Sequence, residues 1–213
     1  MDTTKRENPQ LAPARSQSGS NPHPHPHPLS LAVIVASNRP GRFAPVIVRW
    51  FLRHAQNRDD LDVSVVDLAE LDLPSALGVA APEGLAGVSA TLAQADAFVV
   101  VTPEYNHSYP AALKSLIDWH YAQWHAKPVA FVSYGGVSGG LRAVEHLRQV
   151  FAELHATTVR DTVSFHNAHG DFDGEGRHKD PTACDAAAKA LLDRLAWWAH
   201  ALRNARSERP YAV

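Results

Sequence analysis

The sequence predicts a doubly wound α/β sandwich, with a five-stranded parallel sheet and helices on both faces. Three observations predict it. Short, near-continuous apolar runs recur along the chain, as strands buried on both faces require. Apolar residues at helical spacing fill the intervals between them. The two patterns alternate as β-α, repeated five times. Such alternation packs most simply as a parallel sheet with right-handed crossovers.

The first strand is LAVIVA, from Leu31 to Ala36. VSVVDL (63–68), AFVVVT (97–102) and PVAFVSY (128–134) repeat its pattern, and all four read as strands covered on both sides. TTVRDTVSF (157–165) alternates instead. Val159, Val163 and Phe165 share one side and Arg160, Thr162 and Ser164 the other, which predicts an edge strand. Between the strands, Val48, Phe51, Leu52 and Ala55 share a helical face, as do Leu85, Val88 and Leu92. Leu113, Leu116, Ile117, Tyr121 and Trp124 form a third face, with Trp119 off it as an interface candidate. Leu141, Val144, Leu147, Phe151 and Leu154 form a fourth. Leu191, Leu195, Trp198 and Leu202 mark the last helix, where adjacent Trp197 and Trp198 cannot both enter one core.

Residues 1–29 read as a disordered tail. They carry six prolines and no aromatic residue, too little apolar surface to offset the entropy of ordering. The PHPHPHP run within them (22–28) suits an extended linker better than a metal site, because histidines two apart point in different directions on a polyproline helix. The domain is expected over 30–206, with 207–213 a C-terminal tail. At 213 residues and 45% apolar, the chain can bury one good-sized core. A net charge of −2 with no basic stripe argues against nucleic acid, and no acidic block suggests a charged electron-carrier face. A lone cysteine, Cys184, excludes an internal disulfide. No apolar run is long enough to span a bilayer, and the N-terminus lacks the apolar core of a signal peptide. These features predict a soluble cytoplasmic protein.

Ligands of such sheets bind beyond the carboxyl ends of the strands, where strand order reverses. Three loops are placed there. The first, ASNRPGRFAP (36–45), feeds a helix N-terminus and offers Ser37, Arg39 and Arg42. Free N–H groups, a hydroxyl and guanidinium donors suit a phosphate. The loop matches neither GxGxxG nor the GK[ST] ending, which disfavours a dinucleotide or triphosphate. The second, PEYNHSYP (103–110), is stiffened by Pro103 and starts a helix at Pro110. Asn106 offers a donor and an acceptor, Tyr105 and Tyr109 offer flat surface, and Glu104 is a wall residue or an acid–base group. The third, SYGGVSGGLR (133–142), sets two glycine pairs around Val137 and Ser138. Glycine permits close backbone approach to a ligand. Together the loops suit a flat heterocycle bearing one phosphate. A further stretch, DFDGEGRHKDPT (171–182), has calcium-loop spacing at Asp171, Asp173 and Glu175, but Thr182 stands where a bidentate glutamate is required. A surface connection is the better reading, and neighbouring His166 and His169 have no fixed geometry.

The segments SNRPGR (37–42), TPEYNHSYPAALKSLIDW (102–119) and KPVAFVSYGGVSGGLRAVEHLR (127–148) resemble the NAD(P)H-dependent FMN reductase family. That flavodoxin-like group includes quinone, azo-dye and chromate reductases. The likeness runs in order from Leu31 to Arg206. It implies strand order 2-1-3-4-5 and one non-covalent FMN per subunit. It implies that Ser37, Arg39 and, more weakly, Arg42 hold the phosphate. Pro103, Glu104, Tyr105 and Asn106 would line the ribityl chain and ring. Ser133, Gly135 and Gly136 would form the opposite wall, with Tyr134 beside them. It further implies a homodimer or homotetramer, NADPH or NADH as donor, and a small-molecule electron acceptor. His107 falls at a variable position on the substrate side. No general base is assigned, because the flavin would carry the chemistry. The competing reading is an electron-transfer or flavin-binding module without NAD(P)H turnover.

Overall fold

The structure, a computed structural model, describes residues 27–74, 76, 77, 80–173 and 175–212. The segment read as a disordered tail lies outside the described residues as far as position 26. Five strands, β1 (Leu29–Val35), β2 (Leu61–Asp67), β3 (Ala97–Pro103), β4 (Pro128–Tyr134) and β5 (Thr157–Phe165), form one sheet in the order 2-1-3-4-5. Every pairing is parallel. The helices are α1 (Ala44–Gln56), α2 (Leu85–Gln94), α3 (Ala111–Asp118), α4 (Leu141–Glu153) and α5 (Pro181–Glu208). Order reverses between β1 and β3, so their carboxyl ends flank the crevice where a ligand is expected.

Alternation along each strand divides the core into two layers. Val33 and Val35 pack with Ile47 and Phe51 of α1 and Leu191 and Leu195 of α5. Ala32 and Ile34, one residue out of phase, pack with Leu92, Leu116 and Leu147 on the other face. β3 and β4 are buried at every position, which explains why their sequences are apolar except at Thr102 and Ser133.

Three readings change. β2 is an edge strand: Val65 is 46% exposed and only Val66 is fully buried. Its apolar run imitates a central strand. The third apolar face does not continue as one helix, since α3 stops at Asp118 and a separate 3₁₀ turn carries Ala122–Trp124. Trp124 is therefore fully buried while Tyr121 turns outward, and Trp119 donates its indole N–H to the Pro74 carbonyl at 3.1 Å. Finally, α5 buries Ala188, Leu191, Leu192, Leu195, Ala196 and Ala199, and leaves both Trp197 and Trp198 exposed. Small alanines let the helix approach the sheet closely, so the buried stripe bypasses the tryptophans.

The amino end of the sheet is tied by charge. Arg203 and Arg206 of α5 each reach Asp96 at 3.2 Å, and Arg206 also donates to the Ala126 carbonyl at 2.6 Å. Lys127 is buried and closes the end of α2 through the Leu92 and Ala93 carbonyls, at 2.9 and 2.8 Å. Burial, aided by nearby Arg206, lowers the Lys127 ammonium to about 8. Among the described residues, no helix is long and apolar enough to cross a membrane.

Candidate functional site

The loops after β1, β3 and β4 converge at the carboxyl end of the sheet, around a cleft of about 350 Å³. Register places Pro103 of β3 directly beside Tyr134 of β4. Of the residues read from the sequence, Arg39, Pro103, Glu104, Tyr105, Tyr134, Gly135 and Gly136 line the cleft. Ser37, Arg42, Asn106 and Ser133 do not.

Those four support the cleft or stand beside it. Ser37 is fully buried, and its hydroxyl shares a 2.6 Å hydrogen bond with the Tyr105 hydroxyl. This bond joins the first loop to the second. Arg42 is committed elsewhere. Its guanidinium grips Asp67 at the end of β2 through both carboxylate oxygens and donates to the Ser37 carbonyl at 2.6 Å. It braces the loop after β1 from behind. Ser133 is buried and donates to the Gly139 carbonyl at 2.8 Å. Asn106 and His107 are exposed, with φ of 47° and 74°. Tyr105 and Ser108 exchange backbone hydrogen bonds of 2.9 and 3.1 Å around them. The four residues make a two-residue turn of the primed type, which needs positive φ at both central positions. The His107 ring lies 6.3 Å from that of His146, which bonds the Ser108 hydroxyl at 2.9 Å.

Glu104 serves as a strut. Its carboxylate accepts from the Ser138 hydroxyl at 2.6 Å and from Arg142 Nη1 at 2.9 Å, tying the second loop to the third. Burial pushes the carboxyl upward, but Ser138 and Arg142 together outweigh it and hold it below the ordinary value. An ionised, saturated carboxylate is a poor acid–base catalyst.

The two glycine pairs differ in role. A side-chain carbon at Gly140 would lie 2.8 Å from Ser133 Cβ, and one at Gly139 would lie 2.5 Å from Ser164 Oγ. Both also have positive φ, so the second pair is demanded by packing and by the turn. The first pair faces the cleft. At Gly136 such a carbon would meet nothing within 4 Å among the described residues. Protein packing therefore does not account for the bare backbone there.

Two further cleft elements were not read from the sequence. Phe43 caps the start of α1, where no side-chain hydrogen bond closes the helix end. Asn167, Ala168 and His169, in the loop after β5, complete the wall. The one legible signal was that β5 also ends at the ligand side of the sheet. The acidic stretch after them is closed on itself: Asp173 accepts from the Glu175 and Arg177 N–H groups and pairs with the Arg177 side chain. No cluster of three metal-ligating side chains occurs among the described residues.

The sequence model for the NADPH-dependent FMN reductase family matches residues 29–170. The chain belongs to this family. Membership places it among the oxidoreductases that use NAD(P)H and FMN. A family relative, an NAD(P)H-dependent FMN reductase of Schizosaccharomyces pombe, is 35% identical over 119 residues. That match spans 52% of this chain and 60% of the yeast protein's own length. An NAD(P)H-dependent FMN reductase of Saccharomyces cerevisiae is 32% identical over 147 residues, 61% of this chain and 76% of its own. Among solved structures, an NAD(P)H:acceptor oxidoreductase of Paracoccus denitrificans superposes with a TM-score of 0.65 at 23% identity. It covers 81% of this chain and 97% of that one, and at this identity it shows the shared flavodoxin-like fold alone.

The cleft suits the family's FMN in two respects. The Tyr134 hydroxyl is buried in its wall with no hydrogen-bond partner among the described residues. Burial, then the neighbouring Tyr105, raise this phenol well above its ordinary value, so it stays a neutral O–H donor. An orphaned donor of this kind calls for a polar partner. Arg39 in turn has no ion pair among the described residues; its guanidinium stands 5.7 Å from the Tyr105 ring centroid.

Proposed function

We propose that this chain is an NAD(P)H-dependent oxidoreductase with FMN held in the cleft between the loops after β1, β3 and β4. The observation that carries this reading is the convergence of Arg39, Pro103–Tyr105 and Tyr134–Gly136 on one cleft. Arg39 and the uncapped start of α1 bind the phosphate. Pro103, Glu104 and Tyr105 form a stiff platform for the flavin, and the bare backbone of Gly135 and Gly136 lets it approach from the other side. The Tyr134 hydroxyl donates to a polar atom of the cofactor. Bound FMN supplies the hydride chemistry. Ser37, Arg42 and Ser133 fix the geometry of these groups, and Asn106 borders the opening.

Donor and acceptor use the same open side of the cleft in turn, so the kinetics are ping-pong. Acceptors are small and flat: free flavin, quinones or azo compounds. The working unit is residues 30–206, assembled as a homodimer or homotetramer in the cytoplasm.

Purified protein is expected to be yellow, and its flavin absorbance to bleach on anaerobic addition of NADPH or NADH. Protein that FMN does not reconstitute would refute this reading. Bound flavin that neither nucleotide reduces would favour an electron-transfer module instead.

A further inference from the structure

The loop after β5 is bolted to the glycine wall. Asn167 N–H donates to the Gly136 carbonyl at 3.0 Å, Ala168 N–H to the Gly135 carbonyl at 3.4 Å, and the His166 ring meets the Val137 carbonyl at 2.8 Å. Asn167 adopts φ 48°, the left-handed conformation that asparagine tolerates best after glycine. This turn carries His169 into the cleft lining. The imidazole packs against Phe43 at 4.3 Å between ring centroids, tilted by 50°. Phe43 is the residue that caps the start of α1, so His169 stands at the phosphate end of the proposed cofactor site.

Charge accounting gives this position a task. A phosphate monoester carries about −1.5 to −2 near neutral pH. Arg42 is spent on Asp67, and Glu104 is matched by Arg142. Of the cleft-lining side chains, Arg39 and His169 remain as nitrogen donors able to carry positive charge. An imidazole supplies an N–H in either protonation state, and the His169 ring has no hydrogen-bond partner among the described residues.

We infer that His169, shelved on Phe43, donates to the anionic end of the flavin nucleotide opposite Arg39 and sets the preference for FMN over riboflavin. The inference rests on the flavin reading above. It assigns a binding residue outside the three loops recognisable in the sequence.

The test is a fluorescence-quenching titration of the full chain, freed of flavin, with FMN and with riboflavin at one pH and salt concentration. His169 is exposed, so its replacement leaves the core intact. His169→Ala is expected to weaken FMN about tenfold, the worth of one charge-assisted hydrogen bond. Riboflavin affinity should stay within about twofold, since that ligand lacks the group concerned. His169→Lys should keep most of the preference for FMN. Equal weakening of both flavins, unchanged FMN affinity, or a lysine variant that behaves like alanine would each overturn the assignment. Wild-type protein that binds neither flavin would instead overturn the reading beneath it.

Discussion

Arg42 and Asp67 meet two-to-two, both guanidinium nitrogens on both carboxylate oxygens, and so clamp the loop after β1 to the end of β2. The pair is largely shielded, with side chains 16% and 19% exposed. Arg42→Ala is therefore expected to cost about 1–3 kcal/mol of stability, because it strands a shielded carboxylate. Arg39→Ala should do the reverse, leaving stability within about 0.5 kcal/mol while weakening FMN about tenfold. Denaturant unfolding and FMN titration of both variants check the split. Two variants with matching profiles would remove the distinction between brace and ligand.

The glycine pairs should separate in the same two measurements. Gly140→Ala forces a carbon into Ser133 at a positive-φ position and should cost about 2–4 kcal/mol. Gly136→Ala meets open space and should fold normally, yet weaken FMN at least about tenfold by intruding on the cofactor. A Gly136→Ala protein that binds FMN as wild type does would place the ring elsewhere.

Glu104 gives an acid-side prediction. Its folded value lies below the unfolded one, so its contribution is complete above about pH 5 and fades as pH falls through the folded value. Glu104→Gln should be less stable than wild type at neutral pH, with the deficit shrinking as pH falls through the folded value. A deficit that persists in acid would show that shape, and not charge, fixes the strut.

Lys127 gives the opposite case at the alkaline side. Its folded value, about 8, lies below its ordinary 10.5. Between these values the unfolded chain binds more protons, so stability rises with pH, by up to about 3 kcal/mol. Midpoints of urea unfolding at pH 8 and pH 10 should show this rise in wild type and not in Lys127→Met. Parallel pH profiles would mean that the ammonium is charged in the folded state as freely as in the unfolded one.

The sequence made the sheet legible because β3 and β4 are apolar except at Thr102 and Ser133, near their carboxyl ends, and burial on both faces explains that. It misled at β2, where an edge strand carries the same residue types as a central one, since apolar content reports local pattern and not neighbours across the sheet. It misled again at Tyr121, because periodicity cannot reveal that a helix stops and a new turn restarts the register. At the cleft, the loops and their residue types were legible, but not the direction each group faces. Arg39 and Arg42 are three apart and chemically alike, yet only the position of Asp67 on a strand distant in sequence decides which one is free. Phe43 and His169 were missed for the same reason: their adjacency depends on how the loop after β5 crosses toward α1.

The 28-residue α5 begins at the ligand side of the sheet and runs back to its opposite end, where Arg203 holds the Pro28 carbonyl at 3.3 Å. The start of β1 and the end of α5 thus emerge together, about 23 Å of strand away from the cleft. A linker, an affinity handle or an electrode attachment joined near either position would leave the cleft pointing into solution. The fold is in this sense already oriented for immobilisation.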